Sequence, residues 1–425
     1  VISSNLGLTL LDENITTPTE GSAAYITSNY NTGWMHGDIK LATLSDTDDT
    51  NVTYANLITN GAFASNITGW SNFTGSVAHD TTAGGRIAVT SNGSYYGGVQ
   101  TLTAVAGKTY ALTFTAVSGT TGARIRAGNA SSGTNYLNAA VADGTHTYFF
   151  TTDTTTTVRI FLSTSGASGT CYFDNITLSL AERDHTVNSA GDSNTKELKV
   201  FGTITKTAVA TGAELVGYSG FSTSNYLEQP YNSDLDFGTG DFSITLWIKG
   251  GSNGRVVFDR LGADQRGLQG SSTDTTKRIY IYTSSDRYEF IAGGGQITAS
   301  EAQIDISSEW KLLTCLRKSG VMSMYENGVH KFSKANTNTI GHTDHITRVG
   351  TGVVWNNSPH PGSLALVRVS ATAPTAEQIA KMYRDEKPLF QENAKATLYG
   401  TSNAVTALAY DDDTELLHVG TSAGR

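Results

Sequence analysis

The chain holds 425 residues, enough for roughly two to four domains, and of these 16% are charged, 45 are glycine and 6 are proline. The formal net charge of −9 with scattered Lys and Arg argues against a nucleic-acid partner, and no apolar run approaches a membrane span. Hydrophobic residues at 38% suffice for packed cores, so the Thr- and Ser-rich stretches are read as strands and turns rather than as disorder.

Residues 1–55 form a first segment. Within 23–50 an alternating stretch leads to a turn at Gly33-Trp34, a strand through Ile39 and Leu41, and an acidic end at Asp46, Asp48 and Asp49. Trp34 and His36 read either as a ligand platform or as residues that pin the turn. Residues 56–180 form a module of short strands about ten residues apart, separated by Gly turns, which is the signature of a sandwich. Tyr110, Leu112, Phe114 and Ala116 share one face, followed by RIRA (124–127), YFF (148–150), VRIFL (158–162) and CYFDNITLSL (171–180). Residues 181–212 are a connector with a strand signal at 198–204.

The stretch 225–250 organises the next unit, 213–388. Phe242, Ile244, Leu246 and Ile248 alternate with Ser243, Thr245 and Trp247, the period of a strand with one face in a core. Asn327-Gly328 supplies a tight hairpin turn. Thr375, with Gln378 three positions on and Pro374 before it, predicts a helix start; Ile379, Met382 and Tyr383 make its apolar stripe and Pro388 ends it. Residues 389–425 read as strand, Asp-rich turn at Asp411–Asp413, and strand, one incomplete propeller-blade edge whose partners lie outside the chain. Cys171 and Cys315 each sit inside an apolar strand of a different unit, which predicts buried thiols and no disulfide framework. The chain opens on Val1 without a signal-peptide pattern and is read as a piece of something longer.

Three resemblances are carried by runs of this sequence. NYLEQPYNSDLDFGTGDFSITLWIKG, WKLLTCLRKSGVMSMYENGVHKFS (310–333) and GSLALVRVSATAPTAEQIAKMYR (362–384) resemble, in order, the laminin-G-like (concanavalin-A-like) jelly roll. NLITNGAFASNITGW (56–70), Ala-Gly-Lys-Thr-Tyr and Tyr-Phe-Asp-Asn-Ile resemble the carbohydrate-binding modules attached to xylanases and glucanases. The segments 23–50 and 389–424 resemble tail proteins of tailed bacteriophages. The fold class expected is therefore all-β: tandem β-sandwiches (jelly rolls) with one short helix, flanked by β segments of a propeller-like or tail-protein domain.

No pair of carboxylates in the Glu-x-Asp-x-x-Glu pattern of jelly-roll hydrolases occurs, and neither does a nucleophile elbow, phosphate loop or zincin motif, so no enzyme is expected. Glu326, beside the hairpin turn, is read as structural. The His342–His345 stretch with His360 has loop composition rather than the spacing of a zinc site. The laminin-G-like resemblance implies calcium at the sandwich rim, with Asp259, Asp305 and Asp344 as candidate ligands. Sugar sites cover the apolar side of a ring with an aromatic face and hydrogen-bond its hydroxyls. The candidates are Tyr95 and Tyr96, Arg124 and Arg126 opposite Ile125, Asn135 and Tyr136, and Trp355 with Asn356. Trp70 is read as core, and Trp247 as a platform or a covered residue.

These readings converge on a virion protein of a phage tail or fibre, extracellular and surface-exposed. It would bind host cell-surface polysaccharide without cleaving it, contact other virion subunits as a homo-oligomer, and neither bind nucleic acid nor insert in a membrane. The alternatives are purely structural spacer modules, or accessory modules of a polysaccharide-degrading enzyme.

Overall fold

Short strands whose side chains alternate in polarity bury one face only, and here they pair into antiparallel sheets that close over shared cores. The structure is a computed structural model and describes residues 8–10, 23–25, 37–92, 96–130, 133–166, 168–186, 196–262, 277–354, 358–394, 405–411 and 416–421. Two units result: Thr53–Glu182 with Asn188–Val200, and Val1–Val52 with Arg183–Val187 and Phe201–Arg425. Two hairpins, Leu8–Leu10 with Ala23–Tyr25 and Val405–Asp411 with Leu416–Thr421, are described in their backbone.

In the Thr53–Glu182 unit one sheet runs Leu137–Val141, Ala123–Gly128, Thr157–Thr164, Tyr96–Thr103, Ser71–Asn72 in spatial order. The other pairs Gly144–Thr151, Thr109–Ser118, Ser168–Glu182, Arg86–Asn92 and Ser76–Asp80. Tyr110, Leu112, Phe114 and Ala116 all enter the core, as their spacing predicts, and meet Ile125, Val158, Ile160 and Leu162 there. Trp70 is core too, 5.8 Å from Phe63. The opposite face of Thr109–Ser118 carries a threonine ladder: the hydroxyls of Thr109 and Thr151, Thr113 and Thr147, and Thr115 and Thr145 pair at 2.9, 3.0 and 3.1 Å. Threonine abundance in this unit is thus strand surface.

In the second unit one sheet orders Val329–Ala335, Val321–Glu326, Lys311–Lys318, Phe242–Lys249, Ser363–Ser370, Val216–Ser219 and Thr203–Ala208. Ile39–Thr43, from the first segment of the chain, joins it by pairing with Ser363–Ser370. The facing sheet runs Tyr226–Gln229, His345–Val349, Val256–Gly262, Ile279–Ser284, Arg287–Ala292, Gly295–Ile297. Across its six strands Leu227, Val349, Phe258, Ile281, Phe290 and Ile297 stand in one row of register, each at most 1% exposed, and this row is the core face. The Asn327-Gly328 hairpin turn has positive φ at both residues, 52° and 82°, as a type I′ turn requires.

Both faces of Phe242–Lys249 are covered. Helix Ala376–Glu386 starts where the sequence places it, with Thr375 accepting from the Gln378 amide and Gln378 answering on the Thr375 amide. This helix and the turn after it close over Trp247, which is 1% exposed and stacks on Tyr383 and Phe390 at 5.7 and 4.1 Å. Of the two roles open to Trp247, the structure shows the covered one. Cys171 and Cys315 are buried and free; burial pushes the Cys171 thiol up to about 12, and Cys315 upward likewise.

Candidate functional site

The strand RIRA alternates in and out. Ile125 and Ala127 go to the core, so Arg124 and Arg126 stand together on the outer face of their sheet. The row through Arg126 crosses the whole sheet: Asn138, Arg126, Phe161, Val99 and Ser71 are successive partners. The row beside it sets Ala140, Arg124 and Ser163 in register, with Tyr96 opposite Ser163 on the next strand. Arg124 Nη1 donates to Asn138 Oδ1 at 2.7 Å. Phe161 is fully buried on this outer face, its ring met edge-on by Phe73 at 5.3 Å. Arg159, two positions before Phe161, shares the face and donates from Nη1 to the Asn129 carbonyl at 2.7 Å. The ring itself is covered, so what this face offers to solvent is polar: Arg124, Asn138 and Arg159 carry donors and acceptors of the kind that sugar hydroxyls take.

Asn135 reaches the end of this face, its Oδ1 2.7 Å from where a Cβ on Gly128 would stand, whereas Tyr136 turns to the core. They lie at the end of the loop between the Ala123–Gly128 and Leu137–Val141 strands, where Asn135 Oδ1 accepts from the Asn129 amide at 3.2 Å. The Tyr136 ring stacks on Phe150 at 5.6 Å and packs against the core, and its hydroxyl accepts from the Asp153 amide at 3.3 Å. Both hold the loop in place. Tyr95, Trp355 and Asn356 lie outside the described residues, as do Trp34 and His36, and Tyr96 is described in its backbone alone.

In the second unit the row next to the apolar one points away from the core. Glu228, Arg348, Asp259, Tyr280, Ile291 and Gln296 follow one another across six strands. Its charges alternate and neutralise each other. Arg348 donates to Glu228 at 2.9 Å, and Arg278 makes two bonds to Asp259 at 2.7 and 2.8 Å while lying 3.6 Å over the Tyr280 ring. Tyr282 donates to Glu289, and Gln296 Nε2 reaches the Tyr282 hydroxyl and Glu289 at 3.1 and 2.6 Å. Burial drives the Tyr280 and Tyr282 phenols upward, so both stay protonated donors. Sequence reading singled out Asp259 alone of this row; a single strand shows none of the register that assembles it.

The three candidate calcium aspartates have separate surroundings. Asp259 is fully buried, both its oxygens taken by Arg278 and one also by the Val353 amide at 2.6 Å, an arrangement of an ion pair and not of a rim ligand. Asp305 is exposed and pairs with Arg287 at 2.7 Å, whose hydrogen bond holds the carboxyl below its ordinary range. Asp344 engages His342. Among the described residues no three His, Cys, Asp or Glu side chains gather as a metal would need. His345 and His360 are buried rather than solvated. Glu326 pairs with Lys311 and Lys331.

Residues 221–380 match a family described as Laminin_G_3, the concanavalin A-like lectin/glucanases superfamily. No curated protein matches the chain. Among solved structures, domain 4 of AbnA, a GH43 extracellular arabinanase from Geobacillus stearothermophilus solved with arabinotriose, is 15% identical with a TM-score of 0.33, over 45% of this chain and 91% of that one. The binding domain of Paraclostridial mosquitocidal protein 1 is 16% identical with a TM-score of 0.32, over 48% of this chain and 49% of that one. The receptor binding domain of botulinum neurotoxin C/D mosaic serotype is 12% identical with a TM-score of 0.35, over 57% of this chain and 59% of that one. The chain thus spans about half the length of each toxin domain. Among the described residues no helix is long and apolar enough to cross a membrane.

Proposed function

We propose that this protein is a non-catalytic glycan-binding component of a phage tail or fibre, and that it holds the particle to host cell-surface polysaccharide. The observation that carries the reading is the outer face of this sheet, where Arg124 and Asn138 pair at the surface and Arg159 stands beyond the buried Phe161. Sugar hydroxyls take donors and acceptors of this kind, and no bond need break. Single-site affinity of such a face is weak; many copies in a homo-oligomer, linked to other virion subunits, multiply it without new contacts. Support for the virion setting comes from the sequence resemblance of 23–50 and 389–424 to tail proteins. The self-neutralised row of the second unit favours an architectural role for that sandwich.

The test is a glycan array, with whole host envelopes beside it, probed with the intact chain with and without calcium. Capture that falls in an Asn138→Ala variant supports the reading. Silence on both surfaces removes the adhesin and leaves the structural spacer.

A further inference from the structure

We propose that the outer face of the Leu137–Val141, Ala123–Gly128, Thr157–Thr164 and Tyr96–Thr103 strands selects an acidic saccharide, one whose rings carry carboxylates, as in a polyuronate. This rests on the glycan-binding reading of the same face and adds the chemical class of its ligand.

The argument begins with what stands there. In register, the outward positions are Asn138 and Ala140; Arg124, Arg126 and Gly128; Arg159, Phe161 and Ser163; Val99 and Thr101. Three are arginine and none is acidic, in a chain whose formal charge is −9. Chance placement in so acidic a protein would set carboxylates opposite the arginines, as the second unit does at Glu228–Arg348 and Asp259–Arg278.

Among the described residues Arg124 and Arg159 meet only neutral acceptors, the Asn138 side chain and the Asn129 carbonyl, each through one Nη1. Each guanidinium has five N–H donors in a planar fork that matches a carboxylate two bonds at a time. The nearby carboxylate, Asp153, is occupied by the Asn129 side chain at 2.6 Å and by the amide and hydroxyl of Thr155, both at 2.8 Å. A second observation is independent of charge. The Ser163 hydroxyl, in register with Arg124, is fully buried and makes no hydrogen bond among the described residues. A polar group in that position costs free energy until something reaches it.

Arg124 and Arg159 lie four ladder positions apart along the strands, about 13 Å, with Phe161 between them. The spacing suits an extended saccharide chain that sets one acid group at each guanidinium; the Phe161 ring between them is fully buried and serves as support rather than as a stacking face. Arg126 lies between the two and is 6% exposed.

The experiment measures binding of the full chain, by calorimetry, to an oligogalacturonate, to its methyl ester, and to a sulfated oligosaccharide of equal length. The acidic oligomer is expected to bind at least about tenfold more tightly than the ester, and to lose about tenfold with each of Arg124→Gln and Arg159→Gln. Its binding is also expected to weaken as salt rises. Circular dichroism and melting confirm that both variants fold. Equal binding of ester and acid overturns the acidic assignment while glycan binding stands. A preference for sulfate over carboxylate overturns it as well. No binding of any oligosaccharide overturns this inference and the adhesin reading together.

Discussion

Trp247 Nε1 donates to Glu386 at 2.6 Å across 139 positions of chain, from the middle of a strand to the last turn of the helix that covers it. Glu386 also pairs with Arg368 at 2.6 Å, and all three side chains are at most 3% exposed. A buried carboxylate is tolerable here because an indole and a guanidinium share its two oxygens.

Glu386→Gln keeps an acceptor for the indole and removes the charge that balances Arg368. A loss of about 3–5 kcal/mol is expected, because one buried charge is left uncompensated. Urea unfolding followed by tryptophan emission measures it. The double change Glu386→Leu with Arg368→Met should cost less than the single one, since it removes both charges. A single variant within 1 kcal/mol of the parent, a difference on the order of ordinary surface substitutions, would rule out this account.

Asp259→Asn should destabilise the second unit on the same scale, about 3–5 kcal/mol, through Arg278. The bidentate pair and the bond from the Val353 amide are all lost or weakened together. The expected loss is the same in calcium and in chelator. A loss confined to calcium-loaded protein would make Asp259 a ligand and refute the ion-pair role.

Thr375→Ala removes the acceptor for the Gln378 amide at the start of the helix over Trp247. About 1 kcal/mol of stability should go with it, seen as a lowered melting temperature with native tryptophan emission retained at 25 °C, an ordinary working temperature for such measurements. An unchanged melting temperature would show that the cap is redundant with the packing of Ile379, Met382 and Tyr383.

That helix was legible because its signals are local: a capping pair three residues apart and a stripe at helical spacing. The alternation of Phe242–Ile248 was legible for the same reason, though it could not show that Trp247 on the other face would be covered by a helix more than 120 positions later. VRIFL marks the limit. Every position but Arg159 is apolar, so nothing local says that Phe161 turns outward to floor the arginine face while Ile160 and Leu162 turn in. Likewise, the Glu228–Gln296 row and the pairing of Ile39–Thr43 with Ser363–Ser370 are products of register between distant strands. Periodicity gives faces, and register decides which residues share them.

Two buried imidazoles make the second unit acid-sensitive. His360 is fully buried, and among the described residues neither ring nitrogen has a hydrogen-bond partner. Gly362 is held beside it so closely that a Cβ there would lie 2.7 Å from Nε2 and 2.2 Å from the Lys249 carbonyl. Burial lowers the His360 pKa from 6.5 to about 3. Burial, reinforced by Arg260 and opposed by Asp344 and Asp236, lowers that of His345 to about 4. Both folded values lie below the unfolded one, so the unfolded chain takes up protons first. The stability is complete above pH about 6.5 and drains as pH falls toward 4, by up to about 1.4 kcal/mol per pH unit for each histidine. Urea unfolding at intervals between pH 7.5 and 5, above the range where most carboxylates titrate, should show this slope. His360→Leu should remove about one proton of uptake from it. A slope identical in parent and variant would mean that His360 meets solvent in the folded protein.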